Sequence, residues 1–239
     1  MRLINQGMIL GEGGVKMSKS LGNVINPDDI VRDFGADTMR VYEMFMGPLQ
    51  VSKPWSTRGI TGARRFLERI WRASEVPLTD TEPPDALKRV LHKTIKKVSH
   101  DTDRLEFNTA IAQMMIFLNE AAGLPEMPRA LWTPFVLLLS PYAPHLAEEL
   151  WEKLGNPPSI ARVPWPTWIE ELTAEELVEV VFQVNGKIRA KESLPPGTAD
   201  AELKERALSH ERIREILAGK EVRKVIVVPN KLVNIVAAV

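Results

Sequence analysis

The chain of 239 residues contains no cysteine, which excludes disulfides and thiolate metal sites. Its four histidines (His92, His100, His145 and His210) are scattered, and none stands at a metal-ligand spacing from another. Net charge is lacking too. The 31 Lys and Arg residues balance 31 Asp and Glu, so the chain as a whole does not advertise a polyanionic partner. No apolar run approaches the ~20 residues that span a bilayer; Phe135 to Leu139 is far too short. The opening Met1-Arg2-Leu3-Ile4 leads into a polar Asn-Gln-Gly and is unlike a signal peptide. A soluble, cytoplasmic protein with no membrane partner is the expectation.

What whole-chain charge hides, segments reveal. From Lys53 to Lys97 there are 11 Lys and Arg against 5 Asp and Glu. From Ile111 to Val178 the count is 3 against 9, and from Glu179 to Val239 it is 11 against 8. Two basic regions bracket an acidic one, and local clustering is what creates a field near a surface.

The pattern along the chain is mostly helical. Arg2 to Leu10 reads as extended, and Gly11 to Asn23 as a glycine-rich loop. Asn26-Pro27-Asp28-Asp29 starts a helix: Asn as cap, Pro at the first position, acids in the first turn. Further helices are expected from about Asp37 to Gly47, Ser56 to Ser74 and Asp85 to His100. Another is expected after Asn108 as a cap, and more over Leu131 to Leu154, broken near Pro141 and Pro144. The series reads as an antiparallel bundle. Pro157 to Trp168 reads as a linker docked by its aromatics. Beyond it come a strand over Val178 to Val184, an Asn185-Gly186 hairpin turn, a return strand and two short helices. Strands over Val222 to Val228 and Leu232 to Val236 follow, making a small α+β domain. The fold class is therefore mainly α. The expected domains are 1–55 with the loop, a bundle over 56–155, a Pro/Trp linker over 156–176, and a small α+β domain over 177–239.

One stretch carries chemistry. Lys16-Met17-Ser18-Lys19-Ser20 places two ammonium groups and two hydroxyls on a short segment flanked by glycines. Nucleotidyl chemistry is catalysed mostly by positioning and by charge that stabilises developing negative oxygens. Two lysines three residues apart on a loop can follow a triphosphate and close over it, and the glycines permit that movement. A bare pair of lysines would be read as a solvated loop. The full pentapeptide, followed by Gly-Asn and a capped helix, is more specific.

One other feature points to phosphate, and a further one groups cations. Arg65, Arg69 and Arg72 form one row on their helix, and Lys93 and Lys97 belong to a lysine-rich face on the next. A solvated face reads the same way, but clustering in one basic segment favours phosphate contacts. At the hairpin, Lys187, Arg189 and Lys191 alternate and so should share one strand face. Trp165 and Trp168 are read as packing residues, and His145 as a helix-start residue.

The pentapeptide resembles the KMSKS signature of class I aminoacyl-tRNA synthetases. Its context narrows the likeness: Asn5-Gln-Gly-Met-Ile-Leu-Gly, Asn26-Pro-Asp-Asp, and Gly35-Ala-Asp-Thr-Met-Arg-Val-Tyr-Glu-Met-Phe-Met-Gly-Pro are similar to bacterial leucyl-tRNA synthetases. Ser140-Pro-Tyr-Ala-Pro-His-Leu-Ala-Glu-Glu-Leu-Trp resembles the tRNA-binding bundle of that subgroup. Phe182-Gln-Val-Asn-Gly-Lys-Ile-Arg-Ala-Lys resembles the leucyl C-terminal domain, and the resemblance implies that this small domain meets the tRNA elbow, with Lys187, Arg189 and Lys191 as its contacts. The resemblance implies an anticodon-binding-type bundle and ATP as substrate with Mg2+. Lys19 would stabilise the pyrophosphate side, Lys16 would assist, and Met17, Ser18 and Ser20 would shape the loop. No metal site and no cofactor held by this chain alone are implied.

The implied partners are tRNA(Leu) and an N-terminal catalytic and editing part, in the same chain or as a separate subunit. The His-x-Gly-His signature and the nucleotide-binding sheet of the family are absent from the sequence, so the chain alone is expected to be inactive in aminoacylation. The alternatives are a synthetase for another branched or sulfur-containing amino acid, and a free-standing tRNA-binding module without catalysis.

Overall fold

Two separate hydrophobic cores organise the chain. In the computed structural model, residues 3–174 and 177–238 are described, and they divide into two compact units after Thr173. Arg2, the first residue of the expected extended segment, lies outside the described residues.

In the first unit, β1 (Ile9–Leu10) pairs in parallel with β2 (Lys53–Pro54), Ile9 opposite Lys53. Gly7 makes the approach possible, because a Cβ there would stand 2.2 Å from the Val51 carbonyl carbon. Next comes α1 (Pro27–Phe34), whose start is as the sequence predicts: the Asn26 side chain accepts from the Asp28 N–H, and Pro27 opens the helix. Gly35, at φ 92°, turns the chain into α2 (Ala36–Phe45). The Ser56 side chain caps α3 (Thr57–Ala73) by accepting from the Gly59 N–H.

Then follow β3 (Leu78–Thr79), α4 (Asp85–Asp103), α5 (Phe107–Glu120), β4 (Met127–Pro128), α6 (Arg129–Leu139), α7 (Pro144–Lys153) and the single turn α8 (Glu170–Thr173). The break between α6 and α7 falls where Pro141 and Pro144 place it. Asn108 is not a cap. It is the second residue of α5, because Leu105 takes a left-handed φ of 63° and the Glu106 N–H closes back on the Asp101 carbonyl at 2.7 Å. That tight α4 ending starts α5 earlier than the Asn signal suggests.

The first core is built on aromatic stacks. Phe117 and Trp132 both stack on Phe135, with ring centroids 4.9 and 5.1 Å apart, and Tyr42 meets Trp55 edge-on at 4.9 Å. All five side chains are buried, each contributing roughly 1.5–3 kcal/mol or more of transfer free energy. Trp55 Nε1 is buried with no partner among the described residues, but other polar groups inside this core are paired. The Tyr142 hydroxyl bonds the Thr102 hydroxyl at 2.6 Å, and burial pushes its pKa up to about 12. Asp101 accepts from Thr109 Oγ1 at 2.6 Å and from Lys97 Nζ at 2.7 Å. No described helix is long and apolar enough to cross a membrane.

The second unit is a four-stranded sheet of β5 (Val178–Val184), β6 (Lys187–Leu194), β7 (Val222–Val228) and β8 (Leu232–Ala237), in the order β6-β5-β8-β7. The central β5–β8 pair is parallel, and both flanking pairs are antiparallel. Asn185 and Gly186 turn the hairpin with φ of 50° and 75°, as an Asn-Gly pair should. Two helices, α9 (Asp200–Ser209) and α10 (Glu211–Leu217), bury Leu203, Ala207 and Ile213 against Phe182, Val184, Val233 and Ile235. A mainly α unit followed by a small α+β one is the expected fold class.

The tryptophan-rich segment docks on α4. Trp165 Nε1 donates to Ser99 Oγ at 2.7 Å, Trp168 meets His100 edge-on at 5.4 Å, and the Ile169 N–H donates to His92 Nδ1 at 3.1 Å. The last bond requires His92 to be neutral, and burial lowers its pKa from the ordinary 6.5. A lowered histidine pKa stabilises the fold above the unfolded value and loses that contribution as pH falls through the folded one. Amide exchange at Ile169 is therefore expected to accelerate as pH drops below about 6.5, after correction for intrinsic exchange rates. A pH-independent protection factor would contradict this role for His92.

Candidate functional site

The five residues from Lys16 to Ser20 fold around Asn23. Its Oδ1 accepts from the Ser18 N–H at 2.9 Å, and its Nδ2 donates to the Lys16 carbonyl at 3.3 Å. Ser18 caps a short 3₁₀ turn, Lys19–Leu21, by accepting from the Leu21 N–H at 3.3 Å, and its hydroxyl lies 3.1 Å from that of Ser20. Gly22, at φ 63°, ends the turn in a conformation that favours glycine. Met17 is half-buried and packs against the first core, whereas Lys16 and Lys19 on either side are exposed. The segment is pinned at its middle and presents both ammonium groups outward. Upstream, Glu12 Oε1 accepts from Thr57 Oγ1 at 2.8 Å and from the Thr57 N–H at 3.4 Å, tying the loop's approach to the first turn of α3.

A second constellation escaped the sequence reading. Asp37, 9% exposed at the start of α2, accepts from the Leu146 N–H at 2.8 Å and faces His145 Nδ1 at 2.8 Å, with Arg40 at 3.5 Å. His145 does stand in the first turn of α7, as read from sequence, and Asp37 supplies that turn with a cap from across the fold. Both partners lie in legible motifs, Gly-Ala-Asp and Ala-Pro-His. Nothing in their spacing says that residues 108 apart meet.

The basic residues singled out from sequence fare differently. Arg65 and Arg72 are exposed on α3, whereas Arg69 is half-buried and donates to Asn119 Oδ1 at 2.7 Å. Arg72 Nε donates to the Glu68 carbonyl at 3.3 Å. On α4, Lys97 is committed to the buried carboxylate of Asp101 and Lys96 pairs with Glu170, while Lys93 is half-buried. Arg89 donates to the Glu171 carbonyl at 3.3 Å. The segment from Trp165 to Thr173 thus covers much of the lysine-rich face. Its acidic residues offset charge that the sequence alone leaves open to a partner.

At the hairpin the expected shared face does not exist. The β5–β6 register slips between Phe182 and Gln183, so Ala190 sits opposite Phe182 but Ile188 sits opposite Gln183, leaving Arg189 as the extra residue of a bulge. Directly opposed residues share a sheet face. Lys187, opposite the buried Val184, lies on the helix-covered side, while Lys191, opposite Val181, lies on the other and pairs with Glu179 at 2.8 Å. Arg189 is half-buried, and its Nε is buried with no partner among the described residues. One inserted residue flips every side chain beyond it, which alternation in sequence cannot reveal.

Comparison with known proteins agrees with this architecture. Residues 1–51 match the model for tRNA synthetases class I (I, L, M and V), and residues 128–205 match the anticodon-binding domain of tRNA ligase. These matches make the chain similar to the class I tRNA synthetases. Within that class it is similar over 98% of its length to the agnB2 leucyl-tRNA synthetase of Agrobacterium radiobacter K84, seen in a ternary complex with tRNA and LeuAMS. The two share 32% identity with a TM-score of 0.76. The chain spans 33% of that enzyme's length and is leucyl-synthetase-like throughout. A methionyl-tRNA synthetase of Mycobacterium tuberculosis, in complex with methionyl-adenylate, is a more distant likeness. It shows 19% identity and a TM-score of 0.48 over 61% of this chain and 36% of that one.

Because Asn23 makes both side-chain bonds that close the loop, Asn23→Ala is expected to raise exchange of the Ser18 amide by about 5- to 10-fold, the worth of one or two hydrogen bonds. Tryptic cleavage after Lys16 and Lys19 should quicken in parallel. Unchanged rates would show that the loop holds its shape without Asn23.

Proposed function

We propose that the chain is the part of a leucine–tRNA ligase that carries the lysine loop and binds tRNA(Leu). The carrying observation is the loop itself, a methionine turned into the core between two outward ammonium groups, in a chain leucyl-like over nearly its whole length. The reaction joins ATP and leucine to give leucyl-adenylate and pyrophosphate, and the aminoacyl group then moves to the tRNA 3′ end. Adenylate formation needs charge placed where the pyrophosphate leaves rather than a general base. Lys19 supplies that charge, Lys16 helps hold the triphosphate, and Ser18 and Ser20 keep the turn that spaces them. Magnesium enters with ATP as part of the substrate. The leucine pocket, the rest of the nucleotide site and the editing function are assigned to a catalytic part in the same chain or a separate subunit. The exposed arginines of α3 and the cations of the second unit serve the tRNA backbone, positioning it without reading sequence.

Two experiments test this. Mixed with a leucyl-tRNA synthetase N-terminal part in trans, the chain should support leucine-dependent ATP–pyrophosphate exchange, and Lys19→Ala should lower it by about 10²–10³-fold. The chain by itself should give none. Turnover that persists with Lys19→Ala, or exchange by the chain alone, would overturn the assignment. Charging that never depends on the chain would favour a free-standing tRNA-binding module.

The second experiment uses the bulge. Lys187 and Lys191 face opposite sides of the sheet, so a single RNA-facing surface takes one of them. Alanine at that one should reduce the slope of log affinity against log salt by about 1, and alanine at the other should not. If neither change moves the slope, the hairpin does not contact tRNA phosphates.

A further inference from the structure

We infer that a cavity of about 700 Å3 beside α3 is a subsite for one unstacked nucleotide of the bound RNA, a reading that rests on the tRNA-binding proposal above. Its walls include Phe34, Leu67, Trp71 and Leu146, all from the first unit, and Arg64 and Arg72 stand at its rim. The volume lies within the range of small-ligand sites.

The charges around it sort into spent and unspent. Arg64 is paired with Glu68 at 2.8 Å and donates to the Phe34 carbonyl at 3.2 Å. Asp37 is committed to the start of α7. Arg72 and Lys153 remain: among the described residues neither has a carboxylate partner, since Arg72 bonds only a backbone carbonyl and Lys153 only the Ser74 hydroxyl at 3.1 Å. Lys153 Nζ also stands 4.3 Å from the centre of the Trp71 ring, and Trp71 is 37% exposed. A partly exposed indole with Lys153 over its ring, in a largely apolar cavity that Arg72 also lines, is matched by a planar base with a phosphate attached. A purely apolar ligand would leave the cations idle, and a bare anion would leave Trp71 unused. The site also continues the arginine row: Arg72 lines this cavity and, with Arg69, a second of about 270 Å3.

Stacking on an aromatic side chain is sequence-tolerant and costs about 5- to 100-fold in affinity when removed. The experiment is titration of the full chain with a labelled tRNA(Leu) transcript at several salt concentrations, with thermal melts of each variant. Trp71→Ala should weaken binding within that range without changing the salt slope, and Trp71→Phe should restore most of it. Arg72→Gln should weaken binding and lower the slope by about 1. If Trp71→Ala melts early, the folded Phe and Gln variants still decide the matter: a slope unmoved by Arg72→Gln overturns the subsite. Wild-type affinity in both Trp71→Ala and Arg72→Gln overturns it as well, leaving tRNA binding intact. Failure of the wild-type chain to bind tRNA would instead remove the reading on which the subsite rests.

Discussion

The first unit depends on a carboxylate that has been taken out of water. Asp37 is nine-tenths buried, a position that is costly for a charged group unless hydrogen bonds replace hydration. It is satisfied by the Leu146 N–H and the His145 ring, both in the first turn of α7. The start of a late helix is thereby fixed to the start of an early one. Since α2 follows directly on the segment that α1 links to the lysine loop, the position of the loop and the position of the bundle are set against one frame. Removing the Asp37 carboxylate would leave the Leu146 N–H without its partner, whereas the largely exposed His145 ring can turn to water.

Around that frame, apolar anchors decide which charges are available. Met17 packs against the core and holds the segment there, while Lys16 and Lys19 on either side stay exposed. Glu12 reaches Thr57, so the approach to the loop and the capped end of α3 move together. On α4 the outcome is opposite. Trp165, Trp168 and Glu170 lay a segment over the lysines, and a face that counts as strongly basic in sequence is partly neutralised in the fold. The cations left for an anionic partner are fewer than composition suggests and lie chiefly on α3, at the lysine loop and in the second unit.

Much of the fold was legible because its signals are local. Asn26-Pro27, Ser56, the Pro141–Pro144 break and Asn185-Gly186 each act within a few residues, and each marks its element where the structure has it. The loop pentapeptide was legible for the same reason. What could not be read depends on contacts across the chain or on register. Asn108 looked like a cap, but the left-handed Leu105 closes α4 and starts α5 before it. The hairpin cations looked aligned, but a bulge at Arg189 parts them. Asp37 with His145 and the cavity beside Trp71 arise from helices brought together by packing. No spacing in the sequence encodes them.

The placement of β8 has a consequence for how the second unit tolerates loss of residues. Although it follows every other strand along the chain, it lies inside the sheet, bonded to β5 on one side and β7 on the other. Asn185 at the far hairpin also clasps the backbone of Ala237 through both its amide groups. Deleting Leu232 to Ala237 would not trim an edge. It would open a gap in the middle of the sheet, orphan β7 and remove Val233 from beside Phe182, so loss of this one strand should behave like loss of a keystone.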